Sequence, residues 1–175
     1  MMFDKVFIET PRLIIKSLDK SDYEDFWMQQ QDLFITEFFA STRDKDEMDK
    51  IFQLLLDSQK KHGFSFGMIF IKETGELIGR AGLVHLDFQP GPDVELGYFI
   101  YQKYCGKGYA TELGEALIAY AFNVLKVSRI YATVDPENIA SCRVSEKLGM
   151  VIDRDDMYET LGKKVRFYVK SNPLV

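Results

Sequence analysis

The amino-acid sequence predicts a mixed α/β fold with its elements in the order βααβββαβαββ. Three observations support this class. Two segments in the first third of the chain carry apolar residues at the spacing of amphipathic helices, three β-prone runs follow them, and a glycine-containing loop then opens a further helix. We expect the three runs to form a meander, and therefore a mostly antiparallel sheet.

One strand and two helices are expected before the meander. Arg12 to Lys16 is the first strand, and the pattern Ser21-Asp22-Tyr23-Glu24 indicates a capping box that starts a helix. The second helix ends near Gly63, where a C-terminal cap is expected. Its apolar face is formed by Met48, Ile51, Phe52, Leu55 and Leu56.

The meander begins with a hairpin. Phe64 to Ile71 and Leu77 to Phe88 are its strands, with turn-forming residues between them. After a proline- and glycine-rich break, Asp93 to Tyr101 is the next strand.

The last third of the chain is predicted to hold two helices and three strands. A strand at 130–134 leads to a short helix from Asn138, an N-cap, to Gly149. Val151 to Tyr158 and Val165 to Lys170 form a closing hairpin around Leu161-Gly162. The other helix lies before the strand at 130–134. Its apolar face consists of Ala110, Leu113, Leu117, Tyr120, Ala121 and Val124.

Composition favours one globular domain over residues 1–175, because 46% of the residues are hydrophobic and 28% are charged. No apolar run has the length of a membrane span, and the N-terminus lacks a secretory pattern, so a cytoplasmic location is the default expectation. The net charge of −5 argues against nucleic-acid binding. With two cysteines and two histidines, no metal site is expected.

The segment from Cys105 to Thr111 carries the clearest chemical signal. Its two glycines allow a close turn, and the helix that follows directs unpaired N–H groups at whatever binds there, so we expect an anionic ligand group. A P-loop requires Lys followed by Ser or Thr, whereas Lys107 lies between glycines. The dinucleotide fingerprint also fits poorly, since it requires a parallel βαβ unit.

Four motifs in order resemble those of the GNAT superfamily of acetyl-CoA-dependent N-acetyltransferases. They are Glu95-Leu96-Gly97-Tyr98, Gly106-Lys107-Gly108-Tyr109-Ala110-Thr111-Glu112, Asn138-Ile139-Ala140-Ser141 and Glu146-Lys147-Leu148-Gly149-Met150. Together with Thr10-Pro11-Arg12-Leu13, the resemblance spans nearly the whole chain and is greatest to ribosomal-protein N-terminal alanine acetyltransferases.

The resemblance implies a sheet splayed between the fourth and fifth predicted strands, with the pantetheine arm of acetyl-CoA in the gap. Main-chain groups of Tyr98, Phe99 and Ile100 are expected to hold this arm, with a hydrogen bond from Asn138. The pyrophosphate is expected on the loop amides of Gly106, Lys107, Gly108, Tyr109, Ala110 and Thr111. The partners implied are acetyl-CoA and an amine acceptor, for a monomer or a homodimer.

Acyl transfer requires an unprotonated amine, so a base is needed. Glu95 is the candidate, because family members often carry an acidic residue there, and His85 on the neighbouring strand competes for the role. The structural alternative is that Glu95 faces solvent or pairs with Arg80. Many members have a tyrosine where this chain has Ser145, so Ser145 is expected to donate a hydrogen bond to the departing sulfur without acting as a true acid, or water is expected to serve. That difference also motivates an alternative function, a non-catalytic sensor that binds acyl-CoA.

Overall fold

A computed structural model of the protein describes residues 6–38, 44–85, 94–158 and 162–174. These residues contain eight strands and five α-helices. The strands are β1 (Val6–Glu9), β2 (Leu13–Ser17), β3 (Phe66–Ile71), β4 (Leu77–His85), β5 (Val94–Ile100), β6 (Arg129–Val134), β7 (Val151–Tyr158) and β8 (Lys163–Ser171). The helices are α1 (Tyr23–Gln31), α2 (Leu33–Thr36), α3 (Lys45–His62), α4 (Tyr109–Asn123) and α5 (Ile139–Lys147).

All eight strands lie in one sheet in the order β1-β2-β3-β4-β5-β6-β8-β7. Every neighbouring pair is antiparallel except β5 and β6, which are parallel. This arrangement confirms the predicted mixed α/β class. The chain enters β6 through α4, so β5, α4 and β6 form a parallel βαβ unit whose crossover contains the glycine loop. The sequence argument that such a unit is lacking is therefore wrong, and the dinucleotide fingerprint is disfavoured instead by Thr111 at the position of its third small residue.

Helices cover both faces of the sheet. Because successive strand residues point to opposite faces, Ile69 of β3 enters the larger core beneath α4 and α5, whereas the adjacent Met68 enters a smaller core. The smaller core contains Phe26 of α1 and Phe52 of α3, whose rings meet edge to face with centroids 5.1 Å apart. The two faces therefore carry different helices, α4 and α5 on one and α1 and α3 on the other.

The N-terminal third departs from the prediction in three places. β1 is an additional strand; it pairs with β2 and supplies Phe7 and Ile8 to the core. The short helix α2 is also additional, and Asp32 caps it by accepting a hydrogen bond from the Ile35 N–H. The capping box lies at Asp19 and Asp22, before α1, and not at Ser21 and Glu24.

The remaining elements follow the prediction with small changes. Val124, predicted on the buried face of α4, instead ends that helix and is 60% exposed. The closing hairpin is confirmed, with β8 inserted between β6 and β7. Residues 86–88, Asp93 and Leu161, which the predicted strands and turn include, lie outside the described residues. None of the helices in the described part of the chain is long and apolar enough to cross a bilayer.

Candidate active site

The glycine loop joins β5 to α4, and the N-cap residue of this helix, Gly108, forms no side-chain capping hydrogen bond. Gly106 and Gly108 have φ angles of +75° and +79°, in the left-handed region. A Cβ on Gly106 would meet no atom within 4 Å, so the backbone conformation, and not lack of space, favours glycine there. Gly108 is the N-cap residue and has no side chain to bond the first-turn N–H groups of α4. These groups can therefore bind an anion.

Two lysines accompany the loop. The ammonium groups of Lys103 and Lys107 lie 4.7 Å and 5.4 Å from the ring centroid of Tyr104, which is itself buried. The Tyr104 ring thus holds two cations beside the loop, which adds positive potential to that of the helix terminus.

The other feature of the site is a gap in the sheet. β5 and β6 pair only at Val94 with Ile130 and at Glu95 with Tyr131. β5 then continues to Ile100 and β6 to Val134 without further pairing between them. This confirms the predicted splay, and the glycine loop lies at the open end of the gap.

The backbone groups that face the gap follow from the hydrogen bonds on the other side of β5. The Tyr101 N–H donates to the Ile78 carbonyl, 3.0 Å away, so the backbone of Tyr101 points towards β4. Because directions alternate along a strand, Phe99 points its N–H and C=O towards β4 as well, and Tyr98 and Ile100 point theirs into the gap. Leu96 points the same way, but its N–H belongs to the last rung of the β5–β6 ladder, so only its C=O faces the gap. A ligand in the gap can therefore bind the main chain as an added strand would.

Glu95 lies at the closed end of the gap. Its carboxylate accepts a hydrogen bond from the Thr133 hydroxyl, which projects from β6 two residues beyond the last paired position. Glu95 shares its face of the sheet with Gly97 and Phe99, and the ring of Phe66 lies against Gly97 so closely that a Cβ there would meet the ring at 2.5 Å. The Glu95 carboxylate is therefore held at the edge of an aromatic wall.

His85 lies on the other face of the sheet. It pairs with Val94 while Val84 pairs with Glu95, so the alternation of side chains directs His85 and Glu95 to opposite faces. The imidazole of His85 stacks on that of His62, with ring centroids 4.9 Å apart and planes inclined by 12°. The two residues predicted as candidate bases are thus separated by the sheet.

α5 borders the gap on the face of the sheet opposite to Glu95. Asn138 caps this helix, since its side-chain oxygen accepts a hydrogen bond of 3.1 Å from the Ser141 N–H. The Tyr98 hydroxyl donates to the Ser141 Oγ over 3.2 Å, and burial raises the pKa of this tyrosine. Ser145 lies one helical turn further along and is buried. The predicted N-cap at Asn138 is confirmed, and a hydroxyl pair lies beside the gap.

A buried arginine lies on the Glu95 face. The guanidinium carbon of Arg80 is 4.6 Å from the ring centroid of Phe26 and 4.2 Å from that of Phe99. Its Nη1 donates to the Phe26 carbonyl over 3.4 Å and to the Gln29 side-chain oxygen over 3.3 Å. Arg80 therefore joins α1 to the sheet next to the aromatic wall.

The structure brings Glu95, Tyr98 and Asn138 around one gap and places the glycine loop at its end. Sequence reasoning missed two residues there, Leu96 and Thr133. The only signal for Thr133 is its position in β6, between apolar residues that point to the opposite face.

Comparisons with known proteins agree with this geometry. The family model of the acetyltransferase (GNAT) domain matches residues 12–151. The uncharacterized N-acetyltransferase p20 of Bacillus licheniformis is 32% identical over 145 residues, which are 79% of each chain.

Solved structures share the fold over nearly the whole chain. An acetyltransferase from Agrobacterium tumefaciens superposes with a TM-score of 0.79 and 26% identity, over 93% of this chain and 92% of that one. A ribosomal-protein-S5-alanine acetyltransferase from Vibrio fischeri superposes with a TM-score of 0.76 and 21% identity, over 97% of this chain and 98% of that one. A spermidine N-acetyltransferase from Vibrio cholerae, solved with CoA and spermine, superposes with a TM-score of 0.75 and 18% identity, over 91% of this chain and 95% of that one.

Proposed function

The chain belongs to the GNAT family of acetyltransferases, and on that premise we propose that it transfers an acetyl group from acetyl-CoA to a primary amine by direct attack in a ternary complex. The family predicted from the motifs is confirmed, and the chain is an acyltransferase with acetyl-CoA as its co-substrate. The acceptor we propose is a protein N-terminus or a small amine. The comparisons give no support to the alternative of a non-catalytic sensor.

One observation carries the proposal. The stretch of β5 without a β6 partner runs from the uncapped start of α4 at one end to the Glu95 carboxylate at the other. A long thioester with a diphosphate at one end and a reactive carbonyl at the other matches both termini of this gap. The gap therefore leads from the end of the site that binds the anionic diphosphate to the end where the acetyl group is transferred.

Binding of the co-substrate is assigned to main-chain groups. The pyrophosphate binds the amides of the loop and of the first turn of α4, with the cation of Lys107 nearby. The pantetheine arm binds the groups of β5 that point into the gap, those of Tyr98 and Ile100 and the C=O of Leu96, and Asn138 bonds the arm from the other side. Of the three main-chain positions expected at the arm, we therefore retain Tyr98 and Ile100, and Leu96 replaces Phe99. A gap-facing N–H that bonds the thioester oxygen would lower the barrier by about 3 to 4 kcal/mol.

Glu95 is proposed as the general base. An α-amino group has a pKa of about 8 and a lysine of about 10, so most acceptor amines arrive protonated at neutral pH. The Glu95 carboxylate, held by Thr133, takes this proton directly or through a water molecule. His85 points to the opposite face, so Glu95 is the better placed of the two candidates.

The proton for the departing CoA thiolate is assigned to a hydroxyl of α5. Ser141 accepts a hydrogen bond from the Tyr98 hydroxyl, and the backbone of Tyr98 faces the gap, so we assign the role to Ser141 and not to the buried Ser145. A thiol has a pKa of about 8.5, so its anion leaves readily and weak proton donation is enough.

An amine panel tests the function. Release of free thiol from acetyl-CoA is measured with peptides that begin with Ala, Ser or Met, with spermidine and spermine, and with free lysine. We expect thiol release above the acceptor-free background for at least one of these amines, and the acetylated product by mass spectrometry. Tight CoA binding without turnover across the whole panel would favour the sensor instead.

A further inference from the structure

The turn between β1 and β2 makes direct contact with the glycine loop. Arg12 Nη1 donates to the Lys107 carbonyl over 2.9 Å, and the guanidinium carbon lies 4.6 Å from the ring centroid of Tyr109. Arg12 Nε also forms an ion pair of 2.6 Å with Glu112 in the first turns of α4. One side chain therefore touches the loop, the first helical residue and the residue three positions later.

Glu112 has both carboxylate oxygens occupied by this turn. Oε2 accepts from Arg12 Nε, and Oε1 accepts from the Thr10 hydroxyl over 2.6 Å and from the Arg12 N–H over 2.9 Å. Burial opposes ionisation of the carboxyl group, but these hydrogen bonds and the Arg12 charge outweigh it, so the pKa of Glu112 lies below its ordinary value. Glu112 is thus an ionised, fully bonded anchor.

The β1–β2 turn is itself fixed to the sheet. The Thr10 N–H donates to the Leu13 carbonyl over 2.9 Å, and the Lys72 N–H donates to the Arg12 carbonyl over the same distance. The Lys72 ammonium donates to the Thr10 carbonyl, also over 2.9 Å. Arg12 therefore links the loop to a rigid support.

The contact with the Lys107 carbonyl determines where an amide points. The peptide unit is planar and trans, so its C=O and the following N–H point in opposite directions. With the Lys107 oxygen bonded to Arg12, the Gly108 N–H points away from Arg12. Gly108, Thr10 and Glu112 also line one cavity of about 620 Å³, so the Glu112 carboxylate lies beside the loop.

We propose that Arg12, held by Glu112 and Thr10, is a positioning residue that fixes the glycine loop for pyrophosphate binding. It orients the Gly108 amide through the Lys107 carbonyl and neutralises a carboxylate that would otherwise repel the phosphates. The inference rests on the proposed function, because it takes the loop to be the site of the CoA pyrophosphate.

The test compares two ligands that differ at the phosphates. Kd is measured for CoA by calorimetry and for pantetheine, which lacks the pyrophosphate, by NMR titration, with wild type and with Arg12→Ala. We expect Arg12→Ala to raise the Kd of CoA by about 10-fold or more and to leave that of pantetheine within about twofold. KM for acetyl-CoA rises by the same factor, while kcat, measured with an acceptor from the amine panel, changes less than about threefold.

The matched control is Arg166→Ala, which removes an ion pair on β7 and β8, where Arg166 bonds both oxygens of Asp155 over 2.9 Å and 3.2 Å. This variant keeps wild-type affinity for CoA. If Arg12→Ala does not fold, Arg12→Lys carries the test, with a smaller selective loss of CoA affinity. An equal loss for both ligands, or no loss for either, overturns the positioning role. Equal affinity of the wild-type protein for the two ligands overturns the loop assignment itself, and the proposed CoA site with it.

Discussion

Glu95 and Thr133 lie on different strands, and their hydrogen bond crosses the point at which those strands separate. The hydroxyl from the far side of the gap fixes the orientation of this carboxylate. The aromatic wall of Phe66 and Phe99, whose ring centroids are 5.7 Å apart, lies on the same face. At the scale of single residues, the site therefore combines a positioned carboxylate with an apolar surface.

Replacement of Glu95 by Gln should lower kcat/KM by about 100-fold or more, because the side chain keeps its volume but loses its basicity. The deficit should narrow as the pH approaches the pKa of the acceptor amine, since a larger fraction of the amine is then already neutral. Initial rates from about pH 6 to about pH 10 measure both effects.

Glu73→Gln is the control for Glu95, since Glu73 lies in the exposed turn between β3 and β4. It should behave as wild type at every pH. An unchanged kcat/KM and an unchanged pH profile in Glu95→Gln would remove Glu95 from the mechanism.

Among the elements, the start of α4 depends most on glycine. Gly108→Ala should destabilise the protein by about 1 kcal/mol, because an L-residue is strained at a φ of +79°. It should also weaken CoA binding, since relief of that strain moves the amides that bind the ligand. Thermal unfolding and calorimetric titration measure the two effects separately.

Gly63→Ala provides a control of matched conformation. Gly63 has a φ of +81° and ends α3, and a Cβ at this position would meet no atom within 4 Å, so its stability cost should be similar. CoA affinity should stay at the wild-type value. Equal affinities in the two variants would contradict the assignment of pyrophosphate to the loop.

The connection from β6 to α5 is stabilised by an ion pair. Asp135 accepts from the Lys163 ammonium over 2.5 Å and from the Glu137 N–H over 2.9 Å. Burial opposes ionisation of Asp135, but these bonds and the Lys163 charge outweigh it and hold the pKa of the carboxyl below its ordinary value of 3.8. The ionised carboxylate therefore stabilises the folded state at neutral pH.

Asp135→Asn should lower the free energy of unfolding by about 1 to 2 kcal/mol at neutral pH. A carboxyl whose pKa is lowered by folding stabilises above its unfolded pKa and loses that effect as the pH falls through the folded value. The difference in the free energy of unfolding between wild type and variant should therefore be constant well above pH 3.8 and become smaller below it. Urea unfolding across this range measures it.

Asp153→Asn, which disrupts an exposed pair with Arg154, should change stability by less than about 0.5 kcal/mol. If Asp135→Asn retained its deficit under acidic conditions, the loss would come from packing and not from charge.

Local patterns predict most elements, and the errors occur where patterns compete. Two overlapping capping-box patterns precede α1, one that starts at Ser21 and one that starts at Asp19. The box that starts at Asp19 forms. The Asp19 carboxylate accepts from the Ser21 N–H, and the Asp22 carboxylate accepts from the Asp19 N–H. Val124 continues the apolar spacing of α4 but lies where the helix ends. Periodicity gives the face of a residue within a helix, not the point at which the helix stops.

Across the whole molecule, long-range contacts are the part that the sequence could not predict. Arg12 meets Glu112 across 100 residues, and Thr133 meets Glu95 across 38. Motif order indicates that these segments belong to one site, but a single sequence carries no information on which side chains meet. The conformation of the glycine loop was predictable, because it depends on consecutive backbone groups.

The sheet consists of two parts that share only two residue pairs, with β1 to β5 on one side of the gap and β6 to β8 on the other. A ligand that bonds the exposed edge of β5 supplies the partner that β6 does not. CoA should therefore slow amide hydrogen exchange at Tyr98 and Ile100 and in the loop at 106–111, with little change for β2 and β3, which are paired on both sides.

Pantetheine separates the two parts of this effect. It should protect the gap-facing amides of β5 and leave the loop at its free-state rate, because it has no pyrophosphate. Exchange at early time points, resolved by NMR, distinguishes these local changes from the global stabilisation that any bound ligand produces. Protection of the loop by CoA without protection of β5 would place the arm of the co-substrate outside the gap. The proposal that CoA extends along the gap from the glycine loop to Glu95 would then be wrong.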